Sequence, residues 1–183
     1  GKTTISQRVA DVLDGVWRPE YARPYLEFLG PEITESRMEE IFMGQASTQR
    51  IAQINPSSPY ICFDTDLYST IGYYEIWGRP TPPWMLELVG QESPNDVYYV
   101  LPDDVPFEDD ILRRYGEPGV RESSTDFWKN LMLRYRGEAA PIVMVPPGSL
   151  ESKVGFIAQD MKDRFADKTC NVREFLREVD PNK

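Results

Sequence analysis

Gly1-Lys2-Thr3-Thr4 sets an ammonium group and two hydroxyls directly ahead of a helical pattern that runs from Thr4 to Leu13. The run matches the closing half of the phosphate-binding loop G-x-x-x-x-G-K-S/T, in which backbone N–H groups and the amino end of the next helix hold phosphate oxygens. In such a loop the lysine, here Lys2, reaches the β- and γ-phosphates of ATP, and a hydroxyl, here Thr3, holds Mg²⁺. Gly1, Lys2, Thr3 and Thr4 are therefore the candidate nucleotide ligands. A loop of this kind follows a buried strand, and the opening half of the motif is not in the sequence. The expectation is that the sequence starts inside the motif, with the first strand missing.

Three further runs could complete the chemistry. Tyr60-Ile61-Cys62-Phe63 suits a strand buried on both faces of a parallel sheet, and it ends in Asp64-Thr65-Asp66, where α/β sheets place ligands. Asp64 is the expected metal carboxylate, although two aspartates after a strand also suit a turn and a helix cap. Between Arg18 and Glu27 the chain concentrates Glu20, Tyr21, Arg23 and Tyr25, while two prolines argue against a regular helix. The segment reads either as a polar connection whose rings plug the core or as a substrate wall, with aromatic faces for a flat ring and a carboxylate for sugar hydroxyls. Finally, Arg113 and Arg114 lie in a charged stretch. That stretch suits a solvated surface or a lid over about residues 104–122 that closes on the transferring phosphate.

Composition narrows the chemistry. The chain has 183 residues, enough for one domain with a full core, so a single domain over 1–183 is expected. Twenty basic against 30 acidic residues give a net charge of −10, which disfavours duplex DNA and membrane surfaces but not a local basic cleft for one nucleotide. There is no histidine, which removes imidazole bases, Ser-His-Asp triads and histidine-held metals. Carboxylates and a bound divalent ion are left as chemical agents. The two cysteines, Cys62 and Cys170, make no disulfide framework or metal signature, and no apolar run is long enough to span a membrane, so a reducing, cytoplasmic setting is expected. Oligomeric state is not legible.

The elements that must position these residues follow from apolar spacing. Ile5, Val9, Val12 and Leu13 give a first helix with one apolar face, ended by Asp14-Gly15. Val16-Trp17 suits a short strand. Helices are expected over Ser36 to Ile54, Leu67 to Trp77, Met85 to Val89, Ser123 to Arg136 and Ser149 to Ala166, with Asn171 to Val179 extending the last or packing separately. Further strands are expected at Asp96 to Leu101 and Pro141 to Val145. This alternation implies a three-layer α/β domain with a parallel sheet.

Four landmarks in this order resemble a known family: Gly1-Lys2-Thr3-Thr4, then Glu20-Tyr21-Ala22-Arg23 with Tyr25, then Phe63-Asp64-Thr65-Asp66-Leu67, then Asp104-Val105-Pro106-Phe107 with Asp109 to Arg113. The Gly44-Gln45 step fits as well. Over roughly residues 1 to 122 the chain is similar to the ribosylnicotinamide kinase domain of bacterial trifunctional NAD-biosynthesis regulators and to the wider group of small NadR-like P-loop ATPases. The resemblance implies a nucleoside- or nucleotide-kinase-like P-loop fold, with ATP and Mg²⁺ bound at Lys2 and Thr3. It also implies phosphoryl transfer to the 5′-hydroxyl of nicotinamide riboside. Asp64 would share the metal, Arg113 and Arg114 would serve the lid, and Glu20 or Asp66 would orient or deprotonate the acceptor hydroxyl. Tyr21 and Tyr25 would flank the cationic nicotinamide ring. No adenylyltransferase domain of the kind usual in that family is seen. Two other classes suit the same residues: a non-catalytic ATP-sensing module, and a kinase acting on another nucleotide or on a modified nucleic-acid base.

Overall fold

The computed structural model describes residues 1–54, 58–90, 96–104, 124–136 and 141–179, apart from the side chains of Ser124 and of residues 167–179. In order these form α1 (Lys2–Val12), β1 (Val16–Arg18), α2 (Ala22–Leu29), α3 (Glu35–Ile54), β2 (Ile61–Phe63) and α4 (Leu67–Ile76), followed by α5 (Pro83–Val89), β3 (Tyr98–Val100), α6 (Ser124–Arg136), β4 (Ile142–Met144) and α7 (Leu150–Val179). The chain is thus α/β. Its strands form two parallel pairs, β1 with β2 and β3 with β4, with Val16 opposite Ile61 and Tyr98 opposite Ile142. Parallel neighbours need a crossover, and helices lie between the members of each pair. One continuous sheet is not formed among the described residues. Nor is β2 buried on both faces as its apolar run suggested: Ile61, Cys62 and Phe63 are half-buried. A three-residue strand with one hydrogen-bonded neighbour offers too little sheet for helices to cover completely.

Local chemistry accounts for the turns around the first helix. Asp14 adopts a left-handed φ of 52°. Gly15 N–H then reaches the Ala10 carbonyl at 2.8 Å and Asp14 N–H the Asp11 carbonyl at 3.3 Å, closing α1 with a Schellman motif. Gly15 is free of a side chain because a Cβ there would lie 3.0 Å from the Tyr60 carbonyl oxygen. That close approach lets Val16 N–H bond to Tyr60 at 2.9 Å and start the β1–β2 ladder. The helix buries Ile5, Val9 and Ala10, with Leu13 beside them, while Val12, expected inside, is exposed.

The Arg18 to Glu27 segment corrects an expectation, because its part from Ala22 onward belongs to a regular helix, α2, despite Pro24. Pro24 falls in the first turn, where backbone N–H groups have no intrahelical acceptor and a missing one costs little. The last helix takes the extended alternative: α7 continues from Leu150 to Val179, with a break from helical geometry at Phe165 (φ −119°, ψ 18°).

Two apolar clusters hold the elements. One gathers Met38, Phe42, Leu67, Ile71, Tyr74, Met85 and Leu131 from α3 to α6; the other joins α1 to α7 through Ile5, Val9, Val154 and Ile157. Tyr98 and Val100 pack into the first and Tyr99 and Leu101 into the second, so the alternating side chains of β3 meet helices on both faces. Phe42, Ile71, Met85 and Leu131 are fully buried, each contributing roughly 2 kcal/mol. No helix among the described residues is long and apolar enough to cross a membrane.

Candidate functional site

The amino end of α1 and the carboxyl ends of β1 and β2 converge. Gly1 caps α1 without a side-chain hydrogen bond, which leaves the first-turn N–H groups and their partial positive charge for a ligand. Asp64 N–H bonds to the Arg18 carbonyl at 3.0 Å, one step beyond the strand pairing, and this fixes where its side chain leaves the sheet. Thr3 Oγ1 donates to Asp64 Oδ2 at 2.6 Å. Asp64 Oδ1 is buried and has no hydrogen-bond partner among the described residues. A second chain of bonds anchors the helix start: Ser6 Oγ donates to the Thr3 carbonyl at 3.0 Å, and Trp17 Nε1 of β1 donates to Ser6 Oγ at 3.0 Å.

A buried carboxylate oxygen without a partner costs about 1–3 kcal/mol or more, and a native structure rarely keeps one without a use. Mg²⁺ takes oxygen ligands and is usually held by one or two carboxylates, with waters and substrate phosphates completing its shell. The bare Asp64 oxygen and the Thr3 hydroxyl, whose proton already points at Asp64, are ligands of that kind and fit such an ion. No group of three or more His, Cys, Asp or Glu residues that could hold a metal assembles among the described residues. A site shared with phosphate is therefore the form of metal binding these residues suit.

Beside this contact lies a cavity of about 180 Å³. Lys2, Glu20, Arg23 and Asp66 line it with charge, Leu26, Met38 and Ile41 with apolar surface, and Tyr73 and Trp77 with rings stacked at 6.0 Å and 29°. Lys2 is exposed and makes no ion pair among the described residues. Glu20 likewise makes no hydrogen bond or ion pair among them. Asp66 differs, because it caps α4 by accepting from Ser69 N–H at 3.0 Å and from Ser69 Oγ at 3.1 Å. Burial pushes its carboxyl up, against the pull of those bonds and of the Lys2 charge. The two readings of the aspartate pair thus divide between its members: Asp64 meets the helix hydroxyl and Asp66 is the cap.

The two tyrosines expected to flank a substrate ring do not line the cavity. The Tyr21 ring lies against α3, so close that a Cβ on Gly44 would stand 2.2 Å from it. Tyr25 OH donates to Glu40 Oε2, which raises its pKa. Tyr73 and Trp77 hold the position instead; sequence alone gave their helix a heavy aromatic load without separating core rings from cavity rings. Gln45 was also missed as a site residue. It lines the cavity and is almost wholly buried, a polar side chain on an otherwise apolar helix face. Thr4 is exposed on the first turn of α1. Arg113 and Arg114, with the rest of the expected lid beyond Asp104, lie outside the described residues.

A family model described as an AAA domain matches residues 1–153. No curated protein and no solved structure matches the chain. The family match agrees with the coarser expectation of a P-loop nucleotide-binding domain. By that match, which spans most of its length, the chain belongs to the AAA domain family, of the P-loop nucleotide-binding type.

Proposed function

We propose that the protein binds Mg·ATP at the amino end of α1 and transfers the γ-phosphoryl group to the hydroxyl of a small nucleoside-type acceptor held in the cavity, with nicotinamide riboside the leading candidate. The observation that carries this reading is the Thr3–Asp64 contact with its bare buried oxygen, set beside a cavity lined by Lys2 and Glu20. A three-layer, nucleoside-kinase-like P-loop fold belongs to the same proposal and is supported by helices packed on both faces of β3.

Phosphoryl transfer needs little beyond positioning and neutralisation of charge. Lys2 sets its ammonium group beside the phosphates, and the first-turn N–H groups of α1 donate to their oxygens. Thr3 and Asp64 would hold Mg²⁺, which when bound offsets the charge of the β- and γ-phosphates. Glu20 takes the proton of the acceptor hydroxyl. The acceptor oxygen bonds to the γ-phosphorus as the bond from that phosphorus to the β,γ-bridging oxygen breaks, and ADP leaves with the electron pair. Leu26, Met38 and Ile41, with the rings of Tyr73 and Trp77, suit a flat base and exclude water around it.

The test is ADP release from Mg·ATP in the presence of a panel of nucleosides and nucleotides that includes nicotinamide riboside. Turnover with a member of the panel, lost in Lys2→Ala, is expected. ATP binding with every acceptor inert would overturn the transfer reading. Unaltered ATP affinity and turnover in a folded Lys2→Ala variant would overturn the nucleotide site itself.

A further inference from the structure

Gln45 lies midway along α3 and is 2 % exposed, the least exposed polar side chain among the described residues. Both ends of its amide are used. Oε1 accepts from Tyr21 N–H at 3.0 Å, and Nε2 donates to the Thr65 carbonyl at 3.1 Å. The partners fix the orientation of the amide, since a backbone N–H requires the oxygen and a carbonyl requires the nitrogen.

Those partners sit in two separate segments that carry the candidate chemistry. Tyr21 directly follows Glu20, and Thr65 lies between Asp64 and Asp66. The residue before Gln45 reinforces the first link: Gly44 has no side chain, and the Tyr21 ring occupies the place where a Cβ would stand. Two consecutive residues of α3 thus press the Glu20–Tyr21 segment onto the helix, and one of them reaches on to the segment that holds Asp64. Satisfying two backbone groups is a stabilising role in itself. Packing alone does not explain why both groups adjoin carboxylates of one site.

We propose that Gln45 is a positioning residue: by bridging Tyr21 N–H and the Thr65 carbonyl it sets the separation of the acceptor-side carboxylate Glu20 from the metal-side carboxylate Asp64. This rests on the phosphoryl-transfer reading above. Misplacing a reacting group by about 1 Å can cost on the order of 100-fold in rate, so a tie between the two halves of the site acts on turnover more than on binding.

Gln45→Met keeps the reach of the side chain and removes both hydrogen bonds. With Mg·ATP and nicotinamide riboside it is expected to lower kcat by about 10- to 100-fold, with the Mg·ATP Kd within about threefold of wild type. Gln45→Glu keeps an acceptor for Tyr21 but presents no donor to Thr65 until it is protonated, so its relative kcat should rise as pH falls. Tyr21 amide exchange should accelerate in Gln45→Met while the amides of α3 keep their protection. Wild-type kcat in folded Gln45→Met, or a kcat that falls only in step with melting temperature, would overturn the proposal. If wild-type protein turns over no acceptor, the transfer reading fails and the exchange measurement decides the tie by itself. Selective acceleration at Tyr21 would support it, and unchanged exchange would sink it.

Discussion

Asp64 and Asp104 each follow the carboxyl end of a parallel strand, and the fold treats them in opposite ways. Asp104, beyond β3, has both oxygens engaged: Oδ1 with Lys153 Nζ of α7, and Oδ2 with Gly148 N–H at 2.9 Å. The hydrogen bond from Lys153, and after it that from Gly148, hold its carboxyl below the usual carboxylate range. Asp64, beyond β2, has one oxygen on Thr3 and a second that is buried and bare. A carboxylate that exists to join elements satisfies its lone pairs within the protein. One left incomplete at the ligand-binding end of an α/β sheet is, on the function proposed above, a socket for a ligand. Strand position alone does not separate the two roles; the count of partners on each oxygen does.

The largest expected effect breaks the comparison at Asp64. Asp64→Asn should lower turnover by at least on the order of 100-fold, because a charge that neutralises the metal–phosphate centre is lost. It should also abolish the Mg²⁺ dependence of stabilisation by ATP, read as the shift in melting temperature with and without the ion. Without ligand, the variant should melt at or slightly above the wild-type temperature, since an amide is cheaper to bury without a partner than a carboxylate. A variant that melts early and turns over normally would make Asp64 a structural residue and erase the contrast.

Asp104→Asn should show the reverse pattern, with a lower melting temperature and turnover close to wild type when assayed well below it. Lys153 is 3 % exposed and would lose the carboxylate that balances its charge. The effect has a pH signature. A group whose folded pKa is depressed contributes stability above its unfolded value, about 3.9 for aspartate, and loses it as pH falls through the lower folded value. The difference in melting temperature between wild type and Asp104→Asn should therefore be full near neutrality and close as pH drops below about 4. Because the Asp104 carboxylate is partly open to solvent, added salt should narrow it as well. A difference that persists through acid would assign the loss to packing and not to the ion pair.

The same contrast explains what could be read from the chain. Local periodicity placed α1, α3, α4, α6 and the start of α7 to within a residue or two, since each repeats apolar side chains at helical spacing. It missed α2, where Pro24 argued against a helix and only its first-turn position makes it harmless. Motif reading, not periodicity, paired Thr3 with Asp64, which the fold brings to 2.6 Å, because a phosphate loop and a strand-end carboxylate are sequence patterns in their own right. It put Tyr21 and Tyr25 on the substrate side and overlooked Tyr73, Trp77 and Gln45. Whether a ring faces a cavity or a neighbouring helix depends on a contact with a distant residue such as Gly44, and no spacing rule carries that information.

Gly44→Ala gives the smallest effect and the sharpest form of the comparison. A glycine inside a helix is worth about 1 kcal/mol less than alanine, so the substitution would stabilise α3 if nothing stood in the way. The new Cβ would meet the Tyr21 ring at 2.2 Å, and one of the two must yield. Tyr21 is at the surface, so its ring can swing outward at little cost, and the two terms should nearly cancel. The expected outcome is a net stability change within about 1 kcal/mol of zero by denaturant melt. Turnover should nonetheless fall severalfold, because a ring swung off α3 no longer packs the Tyr21 segment against the helix, which loosens its bond to Gln45 and with it the placement of Glu20. Rate lost without stability is the mirror image of the Asp104 result. A Gly44→Ala protein that loses several kcal/mol, or that keeps full turnover, would show that the Glu20 side of the cavity is held like the Asp104 latch and not tuned like the Asp64 socket.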